Sequence, residues 1–228
     1  AQSELHSREQ WALEIAGKHR LHATHSGALS PPEMQKLRLG VLGSGKGSNF
    51  RAICEAIQAG LLDARVVIVC SDVVDSGILR LARDAGLATG WIDEGRFKTR
   101  LSTEREEALV EQLRASGVEL VVLAGYMRML KTPMLEAFPR HIINIHPSLL
   151  PKFRGLEAWR QALEAGETVT GCTVHFVDEG MDSGETIAQA EVPILPGDTP
   201  GSLHARIQQA EHRLYPEVVG RFARGELP

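Results

Sequence analysis

The sequence predicts a three-layer α/β protein. Its mostly parallel, twisted sheet has about seven strands with helices on both faces, Rossmann-like in its N-terminal half, with antiparallel strands near the C-terminal part. Three observations predict it. Apolar runs such as LRLGVLG and VELVVLAGY are continuous rather than alternating, as in strands buried on both faces. Segments of helical periodicity separate them, which calls for right-handed crossovers between parallel neighbours. The last third changes character: TVTGCTVHFVDEG and ETIAQAEVPI are joined only by MDSG-type loop residues, suggesting an antiparallel pair added to the sheet edge.

The elements follow in order. Residues 1–36 read as an N-terminal extension: Ser7 and Gln10 resemble a capping box, Trp11 and Ile15 mark one short amphipathic helix, and HATHSGALSPPEM has linker composition. Residues 37–228 read as one domain. LRLGVLG is the first strand, and Phe50, Ile53, Cys54 and Ile57 mark the inner face of a helix ending near Gly60. ARVVIVCS is the second strand, a short helix spans Gly77 to Ala85, and LATGWID is a third strand. The charged helix STEREEALVEQLRASG is expected to turn Ala108, Leu109 and Leu113 inward. VELVVLAGY, a short helix with Pro133 near its start, RHIINIHP and the helix LEAWRQALEAG lead to the antiparallel pair. A long helix from about Thr199 closes the chain.

With 228 residues, 43% of them hydrophobic, 24% charged and a net charge of −4, the chain is long enough for a substantial core. It lacks the basic excess of a nucleic-acid surface, and no apolar run reaches the ~18 residues of a membrane span. Cys54, Cys70 and Cys172 have no CxxC spacing and read as core thiols in a reducing compartment. The N-terminal segment has no signal-type apolar stretch, and Glu4, Glu9 and Glu14 speak against an acid-poor transit peptide. A cytoplasmic protein is expected.

Function begins with VLGSGKGSNF at 41–50, an apolar strand running through a Gly- and Ser-rich loop into a helix. Such a helix start offers free N–H groups and a positive dipole end to phosphate. It is not a Walker A loop, because Lys46 precedes Gly47, and not a dinucleotide fingerprint, because Ser48 stands where the third glycine belongs. In open α/β sheets ligands bind beyond the carboxyl ends of the strands, so GSGKGSN, AGYMRML and NIHPSLLP should converge.

Asn144 and His146 lie two apart on a strand and therefore point to one face. An amide donor beside an imidazole suits acyl transfer, stabilising an oxyanion and supplying a proton. The bland alternative is a capping Asn and a structural His. Against it, Asn49 and Asn144 are the chain's only asparagines, and both fall in suspected loops. Asp182 in DEGMDSGE reads equally as a solvated hairpin turn; should it meet His146, its charge would favour and orient an imidazolium. His141, His146 and His175 show no metal spacing, so no metal is expected. Ser148 reads as a turn serine without a GxSxG elbow, and Lys46 as a loop cation near phosphate. Arg80, Arg83, Arg96 and Arg100 read mostly as surface charge, any one of which could hold a carboxylated substrate.

GSGKGSNF, AGYMRML, NIHPSLLPKFRG and HFVDEGMDSG, in this order and spacing, resemble the folate-dependent phosphoribosylglycinamide formyltransferase family over about Leu37 to Leu227. The resemblance implies the formyltransferase fold, with residues 37–228 as the catalytic domain, and a catalytic trio at Asn144, His146 and Asp182. It implies ribonucleotide-phosphate contacts at Gly47, Ser48, Asn49, Phe50 and Arg51, with Gln208 and Glu211 from the last helix. It implies folate contacts at Arg100, Met127, Arg128, Met129, Leu130 and Asn144, and at Asp178, Glu179, Gly180, Met181 and Asp182. The substrates implied are glycinamide ribonucleotide and, as co-substrate, 10-formyltetrahydrofolate, in de novo purine synthesis, with protonated His146 and no metal. No nucleic acid or membrane is expected, and the protein is expected to be a monomer or homodimer. Lys46 departs from the family, which commonly has Asn there. Formyltetrahydrofolate deformylase is the nearest alternative. It passes formyl to water, usually has a longer regulatory N-terminus, and tends to have His where Pro147 stands. Methionyl-tRNA formyltransferase normally adds a C-terminal domain, and a non-catalytic nucleotide-binding module would not need the trio.

Overall fold

The computed structural model describes residues 36–93 and 99–228. The helix and linker expected before Lys36, and Arg96, lie outside the described residues. Within them the order is β1 (Leu37–Leu42), α1 (Ser48–Gln58), β2 (Ala64–Ser71), α2 (Gly77–Asp84), β3 (Thr89–Trp91), α3 (Thr103–Ala115) and β4 (Leu120–Leu123). There follow α4 (Thr132–Ala137), β5 (Ile142–His146), α5 (Ala158–Glu164), β6 (Val169–Phe176), β7 (Thr186–Pro193) and α6 (Pro200–Ala223).

The seven strands form one sheet in the order β3-β2-β1-β4-β5-β6-β7. Strands β1 to β5 run parallel, whereas β6 pairs antiparallel with β5 and β7 with β6. The chain reverses direction across the sheet between β1 and β4, the switch point where the crossovers leave a crevice at the carboxyl ends. The loops GSGKGSN and AGYMRML start there.

Alternation along the strands feeds two cores. Leu39 and Val41 join Ile143, Ile145 and Val174 on the face covered by α1, α2 and α6, where Phe50, Ile53, Ile78 and Leu203 are buried. Leu42, Val121, Leu123 and Ile142 face the other way, against Leu109, Val110 and Leu113 of α3 and Met134 of α4. One inward residue of α3 differs from expectation. Ala108 is exposed, and the buried stripe is Glu106, Leu109, Val110 and Leu113. The Glu106 carboxylate accepts the Lys131 backbone N–H that opens α4, so a polar side chain takes a core position. Helix α6 starts at a Thr199–Ser202 capping box, and the buried Tyr215 hydroxyl reaches the carbonyls of Leu123 and Ile143 at 2.9 and 3.1 Å. That contact fixes α6 across the switch point.

Because α3 and α4 cover only part of the second face, the carboxyl half of β5 and its partner β6 are left facing the crevice. There Asn144 pairs in register with His175, and His146 with Thr173.

Candidate active site

At the end of β1 the loop is packed too tightly for side chains. A Cβ on Gly43 would come 2.8 Å from the Ala124 carbonyl oxygen. Gly47, at φ 79°, is the N-cap of α1, and a Cβ there would stand 3.0 Å from Ile78 Cα. The cap offers no side-chain hydrogen bond, and the first turn of α1 contains no acidic residue. The N–H groups of this turn are therefore left to an anion. Beside them a groove of about 340 Å³ is lined by Lys46, Ser48, Arg51, Ala52, Glu55 and His212. Three cationic or ionisable-to-cationic side chains meet there, and Arg51 Nε and His212 Nε2 are buried without a hydrogen-bond partner. Burial first, and then the Arg51 charge, holds His212 below its ordinary range.

Asn49 turns inward instead. Its Nδ2 donates to the Glu211 carboxylate at 2.9 Å, and its Oδ1 is buried without a partner. Burial raises Glu211 above the usual carboxylate range, partly offset by the Asn49 bond. Gln208 is half-buried one turn earlier on α6.

The second centre lies at the end of β5. Asp182, in the left-handed region at φ 48°, turns its carboxylate back under the strand ends. Its Oδ2 lies 3.3 Å from His146 Nδ1 and accepts the Gly155 N–H at 2.9 Å. Its Oδ1 accepts from Asn144 Nδ2 at 3.5 Å and lies 3.7 Å from His175 Nε2. Asn144, His146 and Asp182, which strand parity and a loop aspartate brought under suspicion, thus form one cluster. Asp182 is not a solvated turn residue. Burial pushes its pKa up, but His175, His146 and the Gly155 N–H outweigh burial and hold it below the ordinary carboxylate range.

Each ring nitrogen of His146 faces an acceptor, Nδ1 the Asp182 carboxylate and Nε2 the Phe153 carbonyl, the two hydrogen bonds that an imidazolium makes. The ring is 4% exposed, and burial holds it below the ordinary histidine range despite the opposing Asp182 charge and Phe153 carbonyl; His175 adds to the lowering. Its Nε2 is 2.8 Å from the Phe153 carbonyl oxygen. The Ser148 hydroxyl donates to the Lys152 and Phe153 carbonyls at 2.7 and 3.3 Å, holding this segment against the ring.

His175 went unnoticed as an active-site group because it was weighed only as a metal ligand. Its Nδ1 meets the Phe176 carbonyl at 2.8 Å, leaving Nε2 to face Asn144 Nδ2 at 3.2 Å. The available signal was parity: in an antiparallel partner to β5, one alternate residue of HFV must face Asn144. Gly155 and Phe153 act through backbone atoms and gave no residue-type signal.

Between the two centres lies the loop after β4. Met127 is exposed and Met129 half-buried, whereas Arg128 and Leu130 are buried. Arg128 Nε donates to Asp72 at 2.7 Å. Arg100 is exposed and bridges Met129 through the backbone. Asp178, Glu179, Gly180 and Met181 form an exposed turn, closed by Asp178 accepting from the Gly180 N–H and the Ser183 hydroxyl.

Comparison with known proteins agrees with this geometry. The formyl transferase family model matches residues 37–219. Phosphoribosylglycinamide formyltransferase of Escherichia coli is 41% identical over 82% of this chain and 87% of its own length. The trifunctional purine biosynthetic protein adenosine-3 of Drosophila pseudoobscura is 46% identical over 83% of this chain, which spans 14% of that protein's length. The solved structure of glycinamide ribonucleotide transformylase 1 from Symbiobacterium toebii superposes with a TM-score of 0.81 at 48% identity, covering 89% of this chain and 94% of that one. With its match over nearly the whole described domain, this chain belongs to the formyl transferase family.

Proposed function

We propose that the chain transfers the formyl group of 10-formyltetrahydrofolate to the primary amine of glycinamide ribonucleotide, in the cytoplasm. The observation that carries it is the pairing of an anion-ready loop with an Asn–His–Asp cluster across one switch-point crevice. The names of the relatives support the same substrate.

In this reading the N–H groups of Gly47, Ser48, Asn49 and Phe50 cradle the 5′-phosphate, and Arg51 adds charge from the groove. Gln208, Glu211 and the unpartnered Asn49 Oδ1 meet the sugar. The folate lies along the backbone of Met127 to Leu130 and the turn Asp178 to Asp182, with Arg100 facing its carboxylated tail. The amine attacks the formyl carbon, forming a C–N bond and a tetrahedral oxyanion. One N–H of Asn144, leaving its long 3.5 Å contact with Asp182, donates to that oxyanion while His175 holds the other. His146, as imidazolium, has its Nδ1–H oriented by Asp182 and turns its Nε2–H to the same oxyanion. The amine proton passes through water, assisted by Asp182, to the leaving N10, and the C–N10 bond breaks. The products are formylglycinamide ribonucleotide and tetrahydrofolate. Holding two substrates side by side supplies much of the acceleration.

The deformylase alternative uses the same trio, but the cationic groove would then have no substrate to hold. Mass analysis of the ribonucleotide after incubation with the protein and 10-formyltetrahydrofolate tests the proposal. Formamide-bearing ribonucleotide is expected, and it should disappear in folded His146→Ala. Formate with unchanged ribonucleotide would sink the proposal.

A further inference from the structure

One buried carboxylate joins the two substrate loops. Asp72 stands just beyond β2, its side chain 5% exposed, beneath the crevice and outside the cluster of Asn144, His146 and Asp182. Its two oxygens serve different loops. Oδ1 accepts the hydroxyl of Ser44, in the loop after β1, at 2.6 Å. Oδ2 accepts from Nε of Arg128, in the loop after β4, at 2.7 Å. The circuit closes a second way. Ser44 Oγ accepts the Met127 N–H at 3.0 Å, and the Ser44 N–H donates to the Gly125 carbonyl at 3.0 Å. On its far side Arg128 Nη1 reaches the Arg100 carbonyl at 3.5 Å, and the Met129 N–H donates to the Thr99 carbonyl at 2.9 Å. The phosphate loop, the folate loop and the segment carrying Arg100 are therefore referred to one group.

Burying an ion pair is poor economy for stability alone, since an apolar pair of similar volume does as well or better. What an enclosed, charge-assisted hydrogen bond supplies is fixed geometry. Two loops carrying two substrates need that, because the reacting amine and formyl carbon must be held near contact distance and an error of about 1 Å costs on the order of a hundredfold in rate.

We propose that Asp72 is a positioning residue that sets the spacing between the ribonucleotide and folate sites, acting through Ser44 on one loop and Arg128 on the other. The inference rests on the assignment of those two loops to the two substrates. Removing either end of the clamp loosens both loops, so the effects appear in both substrates together.

The test is steady-state kinetics on Ser44→Ala, Ser44→Thr, Arg128→Gln, the Ser44→Ala/Arg128→Gln double variant and Asp72→Asn, each with a melting curve. Ser44→Ala is expected to lower kcat about tenfold or more and to raise both KM values, with Ser44→Thr, which keeps the hydroxyl, restoring most of it. The double variant should lose much less than the product of the two single losses, because the three side chains act as one unit. Asp72→Asn removes the charge that faces the buried Arg128 guanidinium and is informative where it folds; Ser44→Ala decides otherwise. A Ser44→Ala protein with a lower Tm but unchanged kcat and KM would reduce the clamp to a structural contact and overturn the inference. So would a change confined to one substrate's KM, or multiplicative losses in the double variant. Absence of ribonucleotide-dependent turnover in the unaltered protein would instead remove the functional assignment itself.

Discussion

Replacing Asp182 with asparagine probes the cluster at the point where four groups meet. Both carboxylate oxygens accept hydrogen bonds: Oδ2 meets His146 Nδ1 and the Gly155 N–H, and Oδ1 meets Asn144 Nδ2, with His175 Nε2 3.7 Å away. An asparagine must place its NH₂ on one of these sides. It then confronts either the Gly155 N–H at 2.9 Å or the Asn144 amide, and no rotamer of the amide satisfies both. Hydrogen bonds to a charged group contribute about 1.5–3 kcal/mol, and the side chain is only 14% exposed, so water screens the loss little. Losing roughly 3 kcal/mol of ordering at His146 and Asn144 corresponds to a fall of about a hundredfold in kcat, at 1.36 kcal/mol for each tenfold. Substrate contacts elsewhere are untouched, so KM for the ribonucleotide should move little. Steady-state kinetics on a variant shown to be folded by circular dichroism reads both numbers. A kcat within about threefold of the unaltered enzyme would refute the reasoning, because the carboxylate would then be ordering nothing that matters to the reaction.

The remaining expectations concern pH, charge and burial. Because His146 acts as an imidazolium, its charge favoured by Asp182 and opposed by burial, kcat/KM should fall as pH rises through the histidine range; a profile that rises with pH there would make a neutral His146 the competent form. Stability should fall on acidification, since a depressed His146 opposes charging below its ordinary range and a depressed Asp182 loses its contribution below about pH 4. Arg51→Gln should raise the ribonucleotide KM about tenfold and leave the folate KM alone, because a guanidinium in the groove beside the phosphate loop touches only one substrate; an equal change in both would misplace that substrate. Glu211, with its pKa raised by burial, contributes stability that is full below the ordinary carboxylate range and lost as pH rises, so Glu211→Gln should melt above the unaltered protein at pH 8 and lose that advantage near pH 4, with a raised ribonucleotide KM; a Tm difference independent of pH would mean the carboxyl is not the buried titrating group.

The fold was largely legible because buried parallel strands write themselves as unbroken apolar runs, and Gly60, Gly117 and Pro133 punctuate the crossovers. Strand parity alone placed Asn144 and His146 on one face, which the sheet bears out. What failed to show were relations between segments. The antiparallel register that sets His175 opposite Asn144 depends on the connection through α5, whose geometry is not written in residue types. Asp72 carried no signal of its own and Arg128 was expected at the folate; the two are 56 residues apart, and only the fold brings them to 2.7 Å. The setting of His146 was half legible for a similar reason: an aspartate partner could be suspected, but the Phe153 carbonyl at Nε2 and the burial that opposes the charge come only with packing. Helix α3 misled by composition, since an alanine ordinarily reads as inward and a glutamate as outward, and here Glu106 holds the start of α4 instead.

The central claim is that the chain passes a formyl group from folate to a ribonucleotide amine. Its most direct test follows tetrahydrofolate released from 10-formyltetrahydrofolate spectrophotometrically, with and without glycinamide ribonucleotide. Release that requires the ribonucleotide is the expected result. Release at the same rate in its absence would make water the acceptor, and the transfer mechanism would be wrong.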